Sequence, residues 1–200
     1  MTLPQAVVGW RRGLETRLYE LLETQLPGVS RSLEAGAEQL EFSPENMLET
    51  LDQIEARELV AFRLLEALDT GERVLSLDCA VELAVGEAAL RTPHAICIRH
   101  DPTSSSAGVP GSIRALLTEL LLGLACEVGE GGAITIRSSE RTLALEAESH
   151  PNRAEFAPAD CPIARDVLDA LLASFSSAWP TAQQAKHRFT LAMPAVEDPA

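Results

Sequence analysis

The chain has 200 residues, of which 46% are hydrophobic and 23% charged, an ordinary globular balance with room for one large domain or two small ones. Acids outnumber bases 30 to 16, giving a formal net charge of −14, and Lys186 is the single lysine. Nucleic acid and anionic membrane surfaces both draw protein through clustered Lys and Arg, so the charge argues against either partner. The four cysteines, Cys79, Cys97, Cys126 and Cys161, lie far apart with no CxxC pair. Neither a disulfide framework nor a metal site is expected from that spacing. No charged segment leading into an apolar one opens the chain, and no apolar run reaches about 18 residues, so the cytosol is the expected compartment.

From Trp10 to about Glu41 apolar residues recur three and four apart: Leu14, Leu18, Leu21, Leu22, Leu26, Val29, Leu33, Ala37 and Leu40. That stripe predicts one long helix, bent at Pro27-Gly28. At Phe42-Ser43-Pro44-Glu45 a new helix is expected to start, with Ser43 as N-cap, Pro44 in the first turn and Glu45 favoured by the positive helix end. Met47, Leu51, Ile54, Ala61, Leu65 and Leu68 carry it to Asp69, and Thr70-Gly71 ends it. Two such helices form a hairpin, whose stripe needs covering by the rest of the chain or by a second protomer, as in a four-helix bundle. The dimer is the preferred expectation. Residues 1–71 are read as this dimerisation hairpin.

Beyond Glu72 the pattern shortens. Strands are expected at Val74–Leu77, Ala95–Ile98, Ala133–Ile136, Leu143–Ala147 and Phe189–Met193, with helices at Ala80–Leu90, Ser112–Cys126 and Ile163–Phe175. Gly129–Gly132 reads as a turn, Ser139-Glu140-Arg141 as a hairpin loop and Asp101–Gly111 as a polar loop. The fold class is α+β, with residues 72–195 forming a mixed sheet covered by three helices. Residues 196–200 are a tail.

The order of these parts resembles the core of a sensor histidine kinase over roughly residues 10–195. That core joins a dimerisation and phosphotransfer hairpin to an ATP-binding domain of the type shared with gyrase and MutL. Val109–Ala125 followed by Gly131–Ile136 is similar to the family's N-box helix and its next strand, and Arg188–Pro194 to its last strand. Two-domain phosphotransferases of phosphorelays are similar in the same way.

The resemblance implies an ATP site whose residues have been replaced. An N-box asparagine completes the oxygen shell that Mg²⁺ requires, but that position is Gly123, with Glu119 four residues earlier. The N-box basic position falls near Cys126. The family's Asp-x-Gly-x-Gly box corresponds to Ser149-His150-Pro151-Asn152-Arg153, without its carboxylate or glycines. A later glycine pair that cradles phosphate corresponds to Cys161-Pro162-Ile163-Ala164, and Ala154–Asp160 is too short for an ATP lid. No cofactor is therefore expected at Glu119, Gly123, Ser149, Pro151 and Arg153. The phosphoacceptor histidine is replaced as well: one alignment places Leu22 there, followed by Glu23, and another places Tyr19, followed by Glu20-Leu21.

Among His94, His100, His150 and His187 none has a sequence neighbour that makes a triad or metal site, and structural roles are expected. Ser104-Ser105-Ser106 reads as a loop, Glu119 as hydrogen-bonded or ion-paired, and Tyr19 as packing or a relic acceptor. Trp10 reads either as a packing residue at a bundle end or as a docking anchor. Taken together, the sequence predicts a non-catalytic, homodimeric adaptor. Family members dock response-regulator receiver domains on the hairpin, so Tyr19, Leu22, Glu23 and Leu26 are the expected partner face. The alternative is a phosphorelay phosphotransferase with an unrecognised acceptor.

Overall fold

In the computed structural model, residues 5–39, 59–68, 74–92, 95–102, 107–149, 165–175, 177 and 186–194 are described. Helix α1 spans Gln5–Gln39 and stays helical through Pro27-Gly28. Helix α2 is described at residues 59–68. The loop expected around Ser43-Pro44 and the boundary near Gly71 lie outside the described residues.

Strand β1 (Val74–Ser76) leads directly into α3 (Leu77–Arg91). The switch is made by Ser76, whose hydroxyl accepts a hydrogen bond from the Cys79 amide and so satisfies one of the free donors at the helix start. Leu77, expected as strand, is therefore the first helical residue and is fully buried. Strand β1 also stays out of the main sheet. It pairs antiparallel with β3 (Gly108–Pro110), a strand at the end of the expected polar loop.

The main sheet has the order β2-β4-β5-β6, formed by Cys97–Asp101, Ala133–Ser139, Thr142–Glu148 and Lys186–Ala192. β2 and β4 are parallel and the other two pairs antiparallel, so the sheet is mixed as expected. Alternation separates its faces. Ile134, Ile136, Leu143, Leu145, Ala147, Phe189 and Leu191 point into the core. On the other face Arg137 and Arg188 flank Glu146, with Arg188 Nε 2.9 Å from its carboxylate. Ion pairs this exposed stabilise by only about 0.2–1 kcal/mol.

Helix α3, helix α4 (Ser112–Val128) and helix α5 (Arg165–Ser174) cover the inner face. Helix α4 is central and buried along almost its whole length, which accounts for its run of six leucines between Leu116 and Leu124. Gly129 and Gly131 adopt positive φ in the turn that returns the chain to β4, a conformation that glycine takes without steric cost.

The outer edge of α5 is where the N-terminal helices join. Helices α1 and α5 pack together. The Trp10 indole N–H donates to the Ser174 carbonyl at 2.9 Å, and its ring lies 6.0 Å from that of Phe175. Leu14 and Leu18 of α1 and Val60, Leu64 and Leu68 of α2 belong to the same buried cluster as the sandwich core. The near end of the helical pair is thus covered by the rest of the chain. Trp10 is a packing residue at that junction. Of the expected inward set of α2, Ala61 and Leu68 are buried and Leu65 is partly buried, and Val60 and Leu64 join them.

Candidate functional site

Two of the positions expected to mark a degenerate nucleotide site, Glu119 and Gly123, lie in the middle of α4. Residues 119 and 123 are one helical turn apart and share a face. A Cβ placed on Gly123 would lie 2.8 Å from Leu168 Cδ1 of α5, closer than carbon atoms approach. Leu168 is itself only 2% exposed and has little room to retreat. The space that an N-box asparagine would use is thus filled by a leucine from the neighbouring helix. Sequence reasoning singled out Gly123 but not its contact with Leu168. The signal was the apolar pattern Val167, Leu168, Leu171, Leu172, which fixes the face of α5 that meets α4.

Glu119 is 5% exposed. Its Oε1 accepts a 2.7 Å charge-assisted hydrogen bond from Arg91 Nη1 at the end of α3. Its Oε2 is buried and has no hydrogen-bond partner among the described residues. The expected ion pair is present, and it ties α3 to α4. Cys126 is buried on the same helix, where it offers no charge to a phosphate. Ser149 lies just beyond the end of β5 and is partly buried. His150, Pro151, Arg153 and the stretch Ala154–Ala164 lie outside the described residues, as do His94, Ser104-Ser105-Ser106 and Trp179. Among the described residues no group of His, Cys, Asp and Glu is placed to hold a metal ion.

At the opposite end of the sheet the structure brings together three side chains that the sequence did not connect. Ser138 Oγ donates to Asp78 Oδ1 at 2.5 Å, and His100 Nε2 lies 3.5 Å from the same oxygen and 3.4 Å from Ser138 Oγ. In a nucleophilic triad the hydroxyl is bonded to the imidazole, which in turn is held by the carboxylate. Here the hydroxyl donates to the carboxylate, and Ser138 is buried, so the cluster supplies no accessible nucleophile. It pins the first turn of α3 to β2 and β4, the structural role expected of His100.

On α1 the proposed partner face is described as far as Glu23. Tyr19 is 55% exposed, Leu22 is partly buried and Glu23 is exposed. Leu26 lies within the helix, but its side chain is outside the described residues. Leu14 and Leu18 occupy the face turned to the core, leaving Tyr19 on the outer side. Tyr19 is therefore not a packing residue within this chain. Helix α2 also presents apolar side chains outward, with Leu59 and Phe62 both exposed.

A helical pair joined to a mixed sheet beneath three helices is an α+β architecture, the fold class that the order of parts implied. No family model and no curated protein matches the sequence. Among solved structures, the chain is similar to a histidine kinase from Burkholderia phymatum at 10% identity, with 98% of this chain and 100% of that one covered and a TM-score of 0.46. It is also similar to the Acinetobacter baumannii histidine kinase AdeS (14% identity, 90% and 98% covered, TM-score 0.41). A third similar structure is a bacterial phosphotransferase (12% identity, 95% and 98% covered, TM-score 0.39). These findings correct one expectation of the sequence reading. A non-enzyme was expected, but the similar structures are histidine kinases and a phosphotransferase, which are enzymes, and no described feature demonstrates loss of activity. No described helix is long and apolar enough to cross a membrane.

Proposed function

We propose that this chain is a phosphorelay signalling protein of histidine-kinase architecture that works as a homodimer and exchanges phosphoryl groups with a response-regulator receiver domain. The receiver docks on the outer face of α1 around Tyr19, Leu22, Glu23 and Leu26, and ATP takes no part. The observation that carries this reading is the packing of Leu168 against Gly123. A leucine where an N-box asparagine would reach supports a phosphorylated protein, and not ATP, as the source of the phosphoryl group. The exposed Leu59 and Phe62 on α2 support dimerisation, because large apolar groups held in water on a helix favour burial by a partner.

Tyr19 is the exposed nucleophile on the proposed face. In the transfer its phenolic oxygen attacks the phosphorus of the receiver's aspartyl phosphate. The acyl P–O bond breaks, the receiver recovers its carboxylate and the phenolic proton passes to solvent. The phosphate ester formed on tyrosine is stable to acid, unlike a phosphoramidate on histidine.

The test uses a receiver domain phosphorylated with labelled acetyl phosphate and freed of excess reagent. Acid-stable label on the wild-type chain, absent from Tyr19→Phe, is the expected result. Acid-labile label would move the acceptor to a histidine, and no label on the chain would overturn phosphotransfer altogether.

A further inference from the structure

We draw no further inference here: the strongest candidate, the exposed stripe of Cys79, Leu83, Gly86 and Leu90 on the outer face of α3, carries nothing, because nothing in the structure shows what covers it.

Discussion

Gly123 and Glu119 of α4 are both committed to contacts with neighbouring helices. With Leu168 filling the space beside Gly123, Gly123→Asn should overpack the α4–α5 contact and cost about 1–3 kcal/mol in urea unfolding. An unchanged midpoint would show that the space is open after all. The Glu119 carboxylate presents the opposite case, a buried charge with one oxygen paired and the other not. Removing its partner by Arg91→Ala should destabilise by about 1–3 kcal/mol, because the buried oxygens would then be without a donor. Replacing the acid itself with leucine should be close to neutral or stabilising, since burying a charge cancels much of what its ion pair contributes. Comparing the two midpoints checks the order. A Glu119→Leu loss as large as that of Arg91→Ala would contradict it.

The elements behave as units that share one core. Trp10 joins α1 to α5 through one hydrogen bond and one ring contact. Trp10→Phe keeps most of the ring contact but removes the donor to the Ser174 carbonyl, so a loss of about 1 kcal/mol is expected from thermal unfolding. Gly86→Ala should act in the other direction, raising stability by about 0.5–1 kcal/mol, because the added methyl group meets nothing and the helix gains propensity. A loss of stability there would mean that the helix needs the glycine for its own fold.

Most of these elements were legible in the sequence because period-two and period-3.6 patterns survive tertiary packing. The strands β4 and β5 fall where Ile134, Ile136, Leu143 and Leu145 alternate, and α4 where its leucines run. The start of α3 was misplaced because Val74-Leu75-Ser76-Leu77 alternates like a strand, while the N-cap hydrogen bond of Ser76 decides for a helix at Leu77. Strand β3 was missed because Gly108-Val109-Pro110 is too short to carry a period and exists through its pairing with β1. At the site, the sequence showed only that Gly123 has no side chain. The Leu168 cover, the Arg91 partner and the Asp78–His100–Ser138 cluster each join residues at least 22 positions apart in the chain, counting Asp78 to His100, and no local pattern reports such contacts.

For the molecule as a whole, the N-terminal helices are half satisfied: buried against the sandwich at one end of α1, and carrying exposed Tyr19, Leu59 and Phe62 elsewhere. Sedimentation equilibrium should find a dimer, and Phe62→Glu should shift it to monomer without unfolding it, since that side chain is already in water in the single chain. A monomeric wild type would remove the homodimer from the proposal. The central claim, phosphoryl exchange with a receiver domain and no use of ATP, is tested most directly by offering the two donors side by side. The chain is incubated with γ-labelled ATP and Mg²⁺ in one reaction and with labelled phosphoreceiver in another, and label on the chain is counted. Label from the receiver alone is the expected result. Label from ATP would contradict the closed pocket, and the nucleotide chemistry of the fold would then have to be restored to this protein.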